Sequence, residues 1–201
     1  MAKKGILICS LDIETGGPRV TKNPLISVGY VFGNVCGEII EKGRISFEFD
    51  IKNFDDETNK KFWINKNHLL DIFKKEALPP KEAISKFIKK LDKYDEDYDI
   101  KIISDNPQFE IRFLDYYIEL YTDRKPLEYR YNGEYCQRIF DIDSIHRGYE
   151  LLKYEDGSVS NLYLMTKYKI TIPIKYDHLP DNDAEYNFHL HTNMLRVKKT
   201  R

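Results

Sequence analysis

The stretch Ile6-Leu7-Ile8-Cys9-Ser10-Leu11-Asp12-Ile13-Glu14-Thr15-Gly16-Gly17 runs from an apolar segment into two carboxylates one residue apart and then a glycine pair. Its uncharged first half predicts a strand over Gly5 to Leu11. Side chains alternate along a strand, so Asp12 and Glu14 project from one face near its C-terminal end. Like charges held that close repel each other, and a cation between them removes the cost. A divalent metal is therefore the first candidate. The plainer reading is a strand ending in an acidic turn, with Thr15-Gly16-Gly17 supplying the turn chemistry.

At 201 residues the chain is long enough for one domain with a proper core, with a helical insertion expected around residues 55–95. Lys and Arg number 32 against 33 Asp and Glu, which excludes a polycation and leaves any nucleic-acid contact to local patches. Cys9, Cys36 and Cys136 show no Cys-x-x-Cys spacing and read as reduced, buried thiols. The first apolar run meets Asp12 too soon for a signal peptide, and no stretch is long enough to span a bilayer. The expectation is an intracellular protein, cytoplasmic or nuclear, with no membrane partner.

Further strands are expected at Leu25 to Phe32 and Gly43 to Ile51, which with the first make an antiparallel meander. Ala83, Ile84, Phe87, Ile88 and Leu91 recur at helical spacing, with Lys86, Lys89, Lys90 and Lys93 on a solvated face. Asp95 to Asp99 reads as a solvated acidic loop, followed by a strand at Ile100 to Ser104. Asn106 as N-cap and Pro107 at the first position then start a helix with a Phe109, Phe113, Tyr116, Tyr117, Leu120 stripe. A short strand fits Arg138 to Ile142, a short helix Asn161 to Tyr168, and a last helix from about Asp181 with a frayed basic tail, Arg196 to Arg201. The fold class is α/β: a mixed sheet, three antiparallel strands and then parallel ones, flanked by helices.

Two more acidic sites fall where α/β folds gather ligand groups: Ser104-Asp105-Asn106-Pro107-Gln108-Phe109-Glu110 and His178-Leu179-Pro180-Asp181-Asn182-Asp183-Ala184. Together with Asp12-Ile13-Glu14-Thr15 they resemble the DEDDh-type 3′→5′ exonucleases, the RNase T-like and proofreading enzymes of ribonuclease H-like fold. The first motif and the His-to-Asp-Ala spacing of the third match that family. The second departs from it, because Glu110 stands where the family has Asp.

The resemblance implies a hydrolase that removes nucleoside monophosphates from the 3′ ends of single-stranded RNA or DNA. It implies two Mg²⁺ or Mn²⁺ ions, with Asp12 bridging both, Glu14 and Asp183 completing one site and Glu110 the other. Asp105 is the alternative to Glu110. His178 would be the general base. Thr15 and Phe109 are candidate substrate contacts. Trp63 either stacks on a base or, more simply, anchors the insertion to the core. His68, His146, His189 and His191 read as structural. RNase T-like relatives are often dimers, so a homodimer is a further expectation. The competing reading is a nucleic-acid-binding module that kept the fold and lost turnover through Glu110. A haloacid-dehalogenase-like phosphatase fits less well, since that family wants Asp at the position of Glu14 and does not account for His178 and Asp183.

Overall fold

The computed structural model describes residues 4–130, 132–148 and 161–199. Its centre is a five-stranded sheet in the order β3-β2-β1-β4-β5. Strand β1 (Ile6–Thr15) pairs antiparallel with β2 (Leu25–Asn34), which pairs antiparallel with β3 (Ile39–Ser46). On its other edge β1 runs parallel to β4 (Asp99–Ser104), and β4 runs parallel to β5 (Ile139–Asp141). The mixed sheet expected from the sequence is the one observed.

Helices lie on both faces of the sheet, which explains why β1 reads as an almost unbroken apolar run. Leu7, Cys9, Leu11 and Ile13 enter the larger core with residues of α3 (Pro80–Asp95) and α4 (Pro107–Tyr121). Ile8 faces the other way, into a cluster with Ala184 and Phe188 of α7 (Pro180–Lys199) and Ile142, the first residue of α5 (Ile142–Gly148). By alternation Ser10, Asp12 and Glu14 share the face of Ile8 and look toward α7. Between β3 and β4 come α1 (Asp56–Lys61), α2 (Asn67–Glu76) and α3, while α6 (Asn161–Tyr168) packs its Leu164 with Leu190 and Met194 of α7.

Helix α7 rests unusually close to the sheet because glycines on β2 leave room for it. A β-carbon at Gly29, the residue paired with Asp12, would fall 1.9 Å from the carbonyl carbon of Pro180. One at Gly33 would fall 2.3 Å from the Phe188 ring. The same helix end is tied laterally: Arg44 of β3 bonds Asp181 at 2.9 Å and Glu76 of α2 at 2.8 Å, and Lys42 bonds Glu185 at 2.6 Å. Space on β2 sets the height of the helix, and charge on β3 sets its lateral position.

Several local expectations are corrected. The third strand is Ile39–Ser46, not Gly43 to Ile51, because Phe47 leaves to bridge Leu78 and Asp50 caps a 3-10 turn by accepting from the Lys52 amide at 2.9 Å. The first strand runs past Leu11 through Thr15, so Asp12 and Glu14 lie within it. Asn106 holds the N-cap position of α4 without a side-chain cap bond; Ser104 Oγ instead accepts from the Asn106 amide at 3.1 Å.

The expected acidic loop begins with a wholly buried residue. Asp95 pairs with Arg138 at 2.9 Å, and Arg138, itself 1% exposed, also donates to the Leu127 and Tyr129 carbonyls. A buried pair is tolerable only when the remaining donors are also satisfied, and here the guanidinium bonds two backbone carbonyls as well. Cys9 is buried as expected, but Cys36 is exposed in the β2–β3 turn and Cys136 half-buried. Helix α7 continues through the basic tail to Lys199, while residues 149–160 and 200–201 lie outside the described ones.

Replacing Gly29 by alanine should destabilise the protein by about 1–3 kcal/mol or more in urea unfolding, the range for overpacking a well-packed contact. Gly148→Ala, with nothing within 4 Å of the added carbon, should stay within about 0.5 kcal/mol of wild type.

Candidate active site

Asp12 and Glu14 leave the α7-facing side of β1 two residues apart, and Asp183 meets them from the first turn of α7. Strand β4, parallel to β1, delivers Ser104 and then Asp105, and the first turn of α4 brings Glu110 back over the strand ends. Two groups result. Carboxylate or imidazole atoms of Glu14, His178 and Asp183 lie within 4.8 Å of one another, and so do carboxylate atoms of Asp12, Asp105 and Glu110. Asp105 and Glu110, alternatives in the sequence, stand side by side, and Glu110 is only 3% exposed. A solvated first-turn glutamate is therefore not what this residue is.

The electrostatic consequence is severe. Burial first, then the charges of Glu110, Glu14, Asp183 and Asp105, push the Asp12 carboxyl well above the usual range. Glu14 is raised by burial and by Asp183, with the Lys66 ammonium acting in the opposite sense. Burial and the Asp105 charge raise Glu110. Asp183 is pushed up to about 7, mainly by burial, although the amides of Asp177 and His178 donate to its two oxygens at 2.9 and 3.0 Å. Four buried acids with raised affinity for protons are equally primed to exchange those protons for a cation.

A cation also fits the unmet hydrogen-bonding capacity. Among the described residues Glu110 Oε2 is buried without a partner, as are Ser10 Oγ and both amide atoms of Asn187. An orphaned carboxylate oxygen between other carboxylates is an atom that could ligate a cation. Oxygen donors with at most one imidazole, and no cysteine, suit Mg²⁺ or Mn²⁺.

His178 lies beside the first acid group, its Nδ1 3.7 Å from Glu14, a contact too long for a hydrogen bond. Its backbone is left-handed, at φ 64°, an uncommon state for a residue with a β-carbon, and the bond from its amide to Asp183 helps hold it there. Burial and the Lys66 charge keep the imidazole below its usual pKa, so the ring is neutral at neutral pH. Phe62 meets it edge-on at 5.0 Å, and Lys66 Nζ lies 3.6 Å from the Phe62 ring centre.

Next to these groups is a cavity of about 430 Å³ lined by Ile13, Glu14, Thr15, Phe62, Phe109 and others. Thr15 Oγ1 is occupied in its own turn, donating to the Gly17 carbonyl at 3.0 Å. Trp63 has no exposed surface on which a base could stack; its Nε1 donates to the Thr15 carbonyl at 3.0 Å, so it anchors the helical segment to the end of β1. Of the other histidines, His146 and His191 form a buried stacked pair between α5 and α7, with ring nitrogens 3.4 Å apart. His189 lies 3.4 Å from Glu185 on its own helix. Tyr176 also belongs here, since burial and the charges of Asp12, Asp105, Asp183 and Glu110 act on its hydroxyl. Its place two residues before His178 was the available signal for it in the sequence.

This sheet order, three antiparallel strands and then parallel ones flanked by helices, is a ribonuclease H-like α/β fold. Solved structures share that fold. The nuclease domain of 3'hExo, a DEDDh family member bound to rAMP, superposes with a TM-score of 0.64 at 15% identity, over 94% of this chain and 92% of that one. Pop2p of S. pombe in its Mg²⁺- and Mn²⁺-bound form gives 0.65 at 13% identity, over 93% and 82%. The zinc-bound E. coli ExoI–ssDNA complex gives 0.67 at 12% identity over 98% of this chain, which spans only 41% of that protein. No protein-family model matches the chain, and no curated protein matches it in sequence. Among the described residues no helix is long and apolar enough to cross a membrane.

The raised acids predict how the metal-free protein responds to pH. A group whose pKa is higher folded than unfolded contributes stability below its unfolded value and loses it as pH rises through its folded one. For Asp183 that loss runs from the ordinary aspartate value of about 4 up to about pH 7, and is complete above it. Thermal melts in EDTA should therefore rise as pH is lowered from about 8.5 to about 6.5. Added Mn²⁺ should raise the melting temperature more at the alkaline end, where fewer protons must be displaced. A flat profile, or a Mn²⁺ effect that grows on acidification, contradicts the arrangement.

Proposed function

We propose that the protein is a metal-dependent 3′→5′ exonuclease that hydrolyses the terminal phosphodiester bond of single-stranded RNA or DNA and releases nucleoside 5′-monophosphates. The observation that carries this reading is the convergence of Asp12, Glu14, Asp105, Glu110 and Asp183 with His178 at one end of the central strand. The neighbours bound to rAMP, to Mg²⁺ and Mn²⁺, and to single-stranded DNA support it by analogy of fold.

In this reading Asp12, Glu14 and Asp183 would hold one divalent ion, and Asp12 with Glu110 the other, with Asp105 supplementing it. Bound Mg²⁺ or Mn²⁺ would supply a more acidic water and neutralise charge on the leaving 3′ oxygen. The protein's own residues do the rest. His178, neutral at neutral pH, takes the proton of the attacking water while the water oxygen bonds to phosphorus and the P–O3′ bond breaks. The Asp177 and His178 amides hold the Asp183 carboxylate in place, and the loop that carries the base is thereby fixed to a metal ligand. The neighbouring cavity, with Phe109 and Thr15 on its wall, receives the terminal nucleoside.

A second reading rests on Glu110. Glutamate is one methylene longer than the aspartate of the resembled family, and ligand positions must hold to about half an ångström for catalysis. A site so displaced would bind single strands without cleaving them.

A 5′-labelled single-stranded oligonucleotide with Mn²⁺ distinguishes the two. Progressive shortening from the 3′ end is expected, and binding without shortening favours the second reading. Asp12→Ala and Asp183→Ala should abolish cleavage, and His178→Ala should slow it by about 10²-fold or more and flatten the acid limb of its pH profile. Glu110→Gln should cost more activity than Asp105→Asn. The assignment of Glu110 is wrong if only the Asp105 change is inactivating.

A further inference from the structure

The segment before α7 carries two aromatic side chains toward the acids, and the reading above uses only one. The amides of Asp177 and His178 are bonded to the two oxygens of Asp183, so the backbone of this segment is fastened to a carboxylate of the site. Tyr176 precedes that fastening by one residue. Its ring stands edge-on to His178 at 5.6 Å and 87°, and edge-on to Tyr186 of α7 at 5.7 Å and 89°. The tyrosine is thereby held in a notch between the base and the helix that bears Asp183.

Tyr176 keeps 43% of its surface open to solvent, so a ligand arriving from outside meets it. Burial and the charges of Asp12, Asp105, Asp183 and Glu110 act together on the phenol, drive its pKa upward, and keep it protonated at every physiological pH. Its hydroxyl thus stays a donor, and the charges that act on it belong to both acid groups.

We propose that Tyr176 is a further catalytic residue, whose hydroxyl donates a hydrogen bond to a non-bridging oxygen of the phosphate that the two acid groups receive. The proposal rests on the nuclease reading for the identity of that phosphate, the 5′-phosphate of the departing nucleotide. A site floored by carboxylates offers few groups that can donate to a phosphate oxygen. As the water attacks, negative charge accumulates on those oxygens, and a donor already aimed at them stabilises the transition state more than the ground state. Tyr186 and His178 on either side fix the ring, so the donor does not have to be ordered at the moment of reaction.

Tyr176→Phe separates the hydroxyl from the packing, because both ring contacts survive. Two readouts are measured with the full chain in Mn²⁺: cleavage of a single-stranded oligonucleotide, and calorimetric binding of adenosine 5′-monophosphate, with the melting temperature recorded alongside. The expected result is an unchanged melting temperature, kcat lowered about tenfold or more, and nucleotide affinity lowered several-fold. Equal cleavage and equal nucleotide binding in the two proteins overturn the proposal and leave the nuclease reading intact. If the wild type does not cleave, the nuclease reading fails and the nucleotide arm decides alone: weaker binding by Tyr176→Phe supports the donor role. Equal binding, or none by the wild type, refutes it.

Discussion

Carboxylates buried side by side repel one another, and holding Asp12, Glu14, Glu110 and Asp183 together against that repulsion is the constraint on which the architecture turns. They come from three mechanical sources. Asp12 and Glu14 share one face of the central strand, where pairing with Gly29 and Ser27 of β2 holds them in register. Glu110 is set by the helix that follows the parallel strand, and Asp183 by a helix pressed into the hollow above Gly29. The repulsion is carried by the rigidity of a sheet with helices on both faces, and a divalent cation would convert it into binding energy.

The surroundings follow from this constraint. Arg44 and Lys42 act on Asp181 and Glu185, which flank Asp183 on α7, and so keep cationic side chains on the flank of the acids while fixing the helix that carries one of them. The bonds from the Asp177 and His178 amides orient the Asp183 carboxylate and at the same time impose a left-handed backbone on His178, which fixes where its imidazole stands. Trp63 and Phe62 join the helical segment after β3 to the end of β1 and to His178, so the wall of the neighbouring cavity is continuous with the acid groups.

What the sequence made legible was whatever is encoded locally. The parity of Asp12 and Glu14, the proline that opens α4, the 3.6-residue period of α3, and the five-residue step from His178 to Asp183 each depend on residues close in the chain. What it hid depends on distant partners. Asp95 looked solvated because its partner, Arg138, lies 43 residues on. The end of β3 was misplaced because Phe47 leaves to bridge Leu78, a tertiary contact that overrides strand propensity. Gly29 resembled any strand glycine until α7 was seen on top of it. That Asp105 stands beside the preferred Glu110 was hidden, because β4 and the first turn of α4 bring them to the same place.

Whether these acids form a divalent-cation centre is read from an anomalous difference map of crystals soaked in Mn²⁺ with adenosine 5′-monophosphate. One peak is expected among Asp12, Glu14 and Asp183 and a second among Asp12, Asp105 and Glu110. A map without density at either place, collected from crystals whose carboxylates keep the positions described, would contradict that expectation.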